Sequence, residues 1–166
     1  MKYMARTALL VAAVLVLPAA RAGAQDSGIA VGEKAPGAAV ETLAGAPANV
    51  ASVFGRGPVV LEFWATWCPN CKELEPSMVA MEKKYAGKVT FVGVAVSVNQ
   101  SPRAVQAYVD RHALPATQFF DTHGKAVGAY DVPATSFVVV VNKAGRVVYT
   151  GLGGRQDLEA AIRKAF

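Results

Sequence analysis

The chain has 166 residues, 53% of them apolar, and a formal net charge of +5. A chain of this length can form one domain with a substantial buried core, and its sequence contains no internal repeat, heptad array or second domain. Much of the positive charge lies near the N-terminus: without Lys2, Arg6 and Arg21, the 17 basic residues fall to 14 against 12 acidic ones, so the net charge falls from +5 to +2. The remaining basic residues are scattered, which gives no argument for a nucleic-acid partner.

Residues 1–24 have the pattern of an export signal. Two basic residues precede an uncharged, mostly apolar run over 7–20, and Ala22-Gly23-Ala24 supplies the small-x-small pattern of a signal-peptidase site. The run is shorter than the roughly 20 residues of a membrane-spanning helix, so we expect cleavage near Ala24/Gln25 rather than permanent anchoring. The mature protein is therefore expected to be periplasmic or otherwise exported, with no stable membrane span.

The next segment, residues 25–48, is rich in Gly, Ala and Pro and predicts an extended lead-in with room for one short hairpin. The domain itself is expected over residues 49–166. A helical turn near residues 50–54 and a Gly-Pro breaker precede the first clear strand, VVLEF at Val59 to Phe63, whose apolar character suits a sheet covered on both faces.

Alternating helices and strands are predicted after residue 68. In chain order they are a helix to Tyr85 or Ala86, a strand over 89–96, a helix starting at Ser101-Pro102, a short strand over 117–120, an antiparallel hairpin of 137–141 with 146–150, and a closing helix over 158–165. Strands separated by helices and followed by a hairpin predict an α/β domain with a mixed central sheet and helices on both faces, a three-layer α/β/α sandwich.

The only two cysteines, Cys68 and Cys71, lie where this first strand gives way to a helix. A structural disulfide is a poor explanation, because the bridge closes a loop of about four residues and constrains the unfolded chain little. At a helix N-terminus, unpaired N–H groups and the helix dipole favour a thiolate over a thiol. We therefore predict that Cys68 is the attacking sulfur and that Cys71, one turn further in and less exposed, is the resolving sulfur.

One acidic residue, Glu62, interrupts the apolar strand before the cysteines. A carboxylate buried in such a strand has a raised pKa and could take up or return a proton near neutral pH. The alternative is an edge strand in which Glu62 faces water. The first interpretation predicts that Glu62 is a proton acceptor in the reaction.

The run Phe63-Trp64-Ala65-Thr66-Trp67-Cys68-Pro69-Asn70-Cys71, followed by Pro76, resembles the thioredoxin superfamily, specifically its exported TlpA/ResA-like thiol-disulfide oxidoreductases. Residues 31–36, Tyr130-Asp131-Val132-Pro133 and the hairpin around Asn142 also resemble that branch. The resemblance covers roughly residues 29–165 and implies a thioredoxin-like fold.

The resemblance also implies roles for individual residues. Glu62 occupies the position of a buried acid beneath the cysteine pair, and Pro133 resembles the superfamily's cis-proline that faces the pair and presents backbone to substrates. Trp67, Pro69 and Asn70 would shape the site, with Trp67 shielding the sulfurs from solvent.

The chain departs from its relatives beyond the second cysteine. Many members of the branch carry a glutamate three residues after it, a position held here by Leu74. On a helix, Glu73 and Glu75 point about 100° to either side of Leu74, so we expect both to be solvated surface charges. Glu62 is then the better candidate for proton transfer.

The function implied by the resemblance is reduction of protein disulfides, as in cytochrome c maturation or copper-centre assembly, with electrons from a membrane thiol donor. The Pro69-Asn70 pair lacks the histidine of strongly oxidising relatives. No cofactor is expected, and the protein is expected to act as a monomer.

Three alternatives remain open from the sequence. The protein could be a disulfide oxidant, or a non-catalytic CxxC binding module such as a copper chaperone holding Cu(I). His112 and His123 could join the cysteines in a zinc site, although the spacing matches no familiar zinc finger. No metal site is predicted.

Overall fold

The computed structural model describes residues 28–115 and 117–166. In this part of the chain, seven strands form one sheet and four α-helices pack around it. The elements are β1 (Ala39–Thr42), β2 (Pro47–Asn49), β3 (Val59–Trp64), α1 (Pro69–Lys84), β4 (Thr90–Val96), α2 (Pro102–His112), β5 (Thr117–Asp121), α3 (Lys125–Ala129), β6 (Phe137–Val141), β7 (Val147–Leu152) and α4 (Leu158–Arg163). The proposed signal sequence and its cleavage site lie outside the described residues. None of the helices described here is long and apolar enough to cross a membrane.

The strand order is β2-β1-β5-β4-β3-β6-β7, which places β3 inside the sheet. β3 pairs in parallel with β4 and antiparallel with β6, and β4 pairs in parallel with β5. All six residues of β3 are buried, as expected for a strand with neighbours on both sides and covered faces. The predicted α/β fold with a mixed central sheet is confirmed.

The lead-in contributes to the same sheet. β1 and β2 form an antiparallel hairpin, which confirms the predicted one, and β1 also pairs antiparallel with β5. Residues 39–49 are therefore part of the sheet that carries β3.

Helix boundaries follow local capping signals. Cys68 is the N-cap of α1 with Pro69 in its first turn, and Tyr85 caps its C-terminal end. Ser101 caps α2, where its Oγ accepts a hydrogen bond from Ala104 N at 3.3 Å. These boundaries match the predicted ones. The five-residue α3 was not predicted, because a single short turn produces no apolar periodicity.

Two apolar clusters cover the two faces of the sheet. Leu74 and Met78 of α1 and Leu158 and Ile162 of α4 pack with Val60 on one face. Leu61 and Phe63 pack on the opposite face with the lead-in and Tyr130. Since side chains alternate along a strand, Glu62 and Trp64 lie on the same face as Val60, towards α1, the helix that begins at the cysteine pair.

Leu74 tests the packing of α1, because its side chain is fully buried against the sheet. We expect Leu74→Ala to lower the free energy of unfolding by about 2–5 kcal/mol through lost burial and a new cavity. Lys72→Ala, an exposed change on the same helix, should stay within about 0.5 kcal/mol of the parent. Chemical denaturation of the reduced proteins measures both, and equal effects would contradict this packing.

Candidate active site

The two cysteines meet at the first turn of α1. Cys68 has extended backbone angles, and its Sγ accepts a hydrogen bond from the backbone N of Cys71 at 3.2 Å. Both thiols are free, and both residues are buried, with 3% exposure at Cys68 and 5% at Cys71. The expectation that Cys71 is the less exposed of the two is wrong, because both cysteines belong to one buried apolar cluster with Trp64, Ala65 and Val105. Their positions on the helix, rather than their exposure, distinguish them.

The surroundings of Cys71 favour the protonated form of its thiol. Burial raises the pKa of the Cys71 thiol above its usual value, and the hydrogen bond with Cys68 and the nearby Glu62 raise it further. Loss of this proton therefore needs a nearby group that can accept it.

Glu62 is a buried carboxylic acid in the middle of β3. Its position between β4 and β6 rules out the alternative of a water-facing edge strand. Oε1 has no hydrogen-bond partner among the described residues. Burial, with a smaller contribution from the negative charge of Glu75, raises the pKa of Glu62 to about 8. Glu62 can therefore exchange a proton near neutral pH.

A side chain from β5 lies beside Glu62 on the same face of the sheet. In the strand register Glu62 pairs with Gly93, which in turn pairs with Gln118. The side chain of Gln118 packs directly over the backbone of Gly93. A Cβ atom at residue 93 would clash with the Gln118 side-chain amide. Its Oε1 accepts from Trp64 Nε1 at 3.1 Å, and its Nε2 donates to Pro115 O at 2.9 Å. Gln118 was not predicted from the sequence, in which the signal for it is Gly93 within an apolar strand.

The residues next to Cys68 and Cys71 in the chain are exposed. Trp67 is 45% exposed and is held by a 2.8 Å hydrogen bond from its Nε1 to Val98 O, whereas Trp64 is buried. Pro69 and Asn70 are also exposed. Trp64 thus packs inside the protein, while Trp67 presents almost half of its surface to solvent.

Pro133 differs from its predicted state. No peptide bond among the described residues is cis, and Pro133 is exposed, so its assignment as the cis-proline is wrong. The trans form is the lower-energy state of an X-Pro bond. The loop instead reverses through left-handed backbone at Asp131 and Ser136, and Ser136 N donates to Phe63 O at 2.8 Å at the end of β3.

Glu73 and Glu75 have different environments. Glu73 is 44% exposed and forms an ion pair with the exposed Arg155, as expected for a surface charge. Glu75 is only 19% exposed and binds Tyr108 and His112 of α2. The expectation of a solvated Glu75 is wrong, because α2 packs across that side of α1.

No metal-binding cluster is present in the described parts of the chain. Within 28–115 and 117–166, no three His, Cys, Asp or Glu residues are grouped so that they could hold a metal ion. His112 is hydrogen-bonded to Glu75, and His123 is exposed. Neither histidine is grouped with the cysteines in such a cluster.

Comparison with known proteins identifies the family. Residues 30–164 match the family described as Redoxin. The chain belongs to this family. It is 29% identical over 136 residues to the thiol-disulfide oxidoreductase ResA of Bacillus thuringiensis, a match covering 81% of this chain and 78% of that protein.

Solved structures of similar proteins have the same fold. A thiol:disulfide interchange protein of the thioredoxin family from Chlorobium tepidum superposes with a TM-score of 0.68 and 26% identity, covering 82% of this chain and 97% of that one. A secreted disulfide oxidoreductase of Mycobacterium tuberculosis gives a TM-score of 0.63 and 32% identity, covering 76% and 93%. The chain is a thiol-disulfide oxidoreductase of the thioredoxin type.

Burial of Glu62 predicts a pH-dependent stability. Between its ordinary pKa of 4.5 and the raised value of about 8, the folded protein binds this proton and the unfolded chain does not. The free energy of unfolding should therefore fall as pH rises from 5 to 8, by on the order of 3 kcal/mol from this group. Glu62→Gln should remove most of this fall, as measured by urea denaturation across that range.

The exposed carboxylate of Glu73 supplies a matched control for this measurement. Glu73→Gln should retain the dependence on pH. An equally steep fall in Glu62→Gln would show that Glu62 does not titrate as its burial requires.

Proposed function

We propose that the chain is an exported protein-disulfide reductase in which Cys68 attacks, Cys71 resolves and Glu62 accepts the proton of Cys71. One observation carries the proposal: a buried carboxyl group with an unpartnered oxygen lies beneath a cysteine pair whose second thiol is held protonated. A cysteine pair with a purely structural role would not require a buried acid beside it, because desolvation of that acid lowers the stability of the protein.

The first step begins at Cys68. Its thiolate, stabilised by the backbone N–H of Cys71, attacks one sulfur of a substrate disulfide. A Cys68–substrate disulfide forms, the substrate S–S bond breaks, and one substrate sulfur leaves as a thiolate. The exposed surface beside Cys68, at Trp67, Pro69 and Asn70, is where the substrate would approach.

The second step needs deprotonation of Cys71. The carboxylate of Glu62 takes the thiol proton, and the Cys71 thiolate attacks the Cys68 sulfur of the mixed disulfide. The Cys68–Cys71 disulfide forms and the second substrate thiolate leaves, so two electrons pass from the dithiol to the substrate. With a pKa of about 8, roughly one Glu62 in ten is ionised and ready at pH 7.

Similarity to known proteins supports the proposed export of this protein. One structural relative is described as a secreted disulfide oxidoreductase, in agreement with the signal sequence proposed for residues 1–24. An exported reductase needs a source of electrons for each turnover, and in this proposal a membrane thiol donor supplies them. Apocytochrome c or a copper-centre assembly protein would be its substrate. The absence of histidine at Pro69-Asn70 favours reduction over oxidation.

Substrate trapping tests the assigned roles. In Cys71→Ser, the first step proceeds but the second cannot, so the reduced variant should accumulate a disulfide-linked partner at Cys68 in the exporting cell. Cys68→Ser should capture little, because burial raises the pKa of the Cys71 thiol and leaves it mostly protonated. Non-reducing electrophoresis followed by mass spectrometry identifies both the partner and the linked cysteine.

Three results would contradict this account. Capture through Cys71 but not through Cys68 would reverse the roles of the two sulfurs. Capture of reduced substrates by the oxidised enzyme alone would assign it as an oxidant. Tight Cu(I) binding without turnover in the presence of a dithiol donor would instead support a copper-binding module.

A further inference from the structure

A polar cluster outside the cysteine pair joins α1 to α2. Both oxygens of the Glu75 carboxylate are bound from α2: Oε2 accepts from Tyr108 Oη at 2.9 Å, and Oε1 lies 2.7 Å from His112 Nδ1. The two rings stack, with centroids 3.9 Å apart and planes inclined by 5°. Because both oxygens are held, the carboxylate has a fixed position rather than moving freely in solvent.

The cluster packs against the reaction centre. Glu75 lies four residues after Cys71, and therefore on the same side of α1 one turn further along. The Tyr108 ring lies 5.6 Å from the ring of Trp64, which follows Glu62 by two residues on the same face of β3. Glu75 is thus held in the space between α1, α2 and the strand that carries the buried acid.

We propose that Glu75, fixed by Tyr108 and His112, is a positioning residue for the proton transfer between Cys71 and Glu62, and that its negative charge favours the protonated form of Glu62. This inference rests on the proposed function, in which Glu62 accepts the Cys71 proton. It assigns to Glu75 an effect on Glu62 and no contact with substrate.

Electrostatics gives the direction of this effect. A fixed negative charge close to a second carboxylate disfavours ionisation of the second one, and the interaction is strong where little water intervenes. Burial raises the pKa of Glu62 first, and Glu75 adds to that increase. The same charge contributes to the raised pKa of Tyr108, about 12, after burial and its hydrogen bond to Glu75.

The titratable groups around Glu75 come from three elements. Tyr108 and His112 face it from α2, Glu62 interacts with it from β3, and Cys71 precedes it on α1. A positive charge on His112 would offset part of the effect of Glu75. The full effect on Glu62 is therefore expected when His112 is neutral.

Titration of the Glu62 carboxyl tests the proposal without relying on activity. In the reduced full-length protein with ¹³C-labelled glutamate, the Glu62 carboxyl resonance is identified by its absence from Glu62→Gln. We expect Glu75→Gln, which keeps an oxygen acceptor for Tyr108, to lower the titration midpoint of Glu62 by about 0.5–2 pH units. The pH dependence of mixed-disulfide release should move in the same direction.

Glu73 provides a matched control on the same helix. Its carboxylate is more exposed and is paired with Arg155, so Glu73→Gln should leave the Glu62 midpoint unchanged. Tyr108→Phe frees one oxygen of Glu75 and should lower the midpoint by less than Glu75→Gln. In the Glu75→Gln background, Tyr108→Phe should have little further effect. An equal shift in both backgrounds would show that Tyr108 acts independently of Glu75, against the proposal.

The outcomes separate this inference from the proposed function. If Glu75→Gln leaves the Glu62 midpoint unchanged while Glu62→Gln still slows release of the mixed disulfide, Glu75 has no positioning role and the reductase mechanism stands. If Glu62→Gln does not slow release, the proposed role of Glu62 is wrong, and a shifted midpoint in Glu75→Gln shows only electrostatic coupling.

Discussion

The burial of Glu62 is the constraint on which the site depends. The carboxyl group is buried within a central strand, and with one oxygen unpartnered it is stable chiefly in its protonated form. Burial of this carboxyl group lowers the stability of the fold at neutral and higher pH. The raised pKa of about 8 also allows Glu62 to exchange a proton near neutral pH, as the proposed transfer from Cys71 requires.

The fold sets the relation between this acid and the cysteines. β3 carries Glu62 into the sheet between β4 and β6, and a three-residue turn leads from its end to Cys68 at the start of α1. Cys68 Sγ therefore accepts a hydrogen bond from the N–H of Cys71 in the first turn of the helix, while the Cys71 thiol lies close enough to Glu62 to interact with it electrostatically. α2 closes this space with Tyr108 and His112, which bind the Glu75 carboxylate of α1.

Local patterns predicted much of this arrangement, whereas long-range packing could not be predicted. The run around Cys68 and the apolar period after it predicted β3, α1 and the N-cap, and the isolated acid predicted a buried Glu62. The pairing of Gln118 with Gly93 escaped prediction because parallel pairing joins strands that are distant in sequence. Glu75 was assigned to solvent because helical spacing alone does not show where α2 packs. Pro133 was misassigned because a motif resemblance does not determine the conformation of a loop.

Proton transfer from Cys71 to Glu62 is the central claim, and single-turnover kinetics tests it most directly. The reduced protein is mixed with an aromatic disulfide whose leaving thiol is chromogenic: Cys68 releases the first equivalent and Cys71 the second. The account predicts that the second rate rises with pH with a midpoint near 8, and that Glu62→Gln slows it about tenfold or more at that pH and removes the rise. An unchanged second rate and an unchanged pH profile in Glu62→Gln would contradict the account.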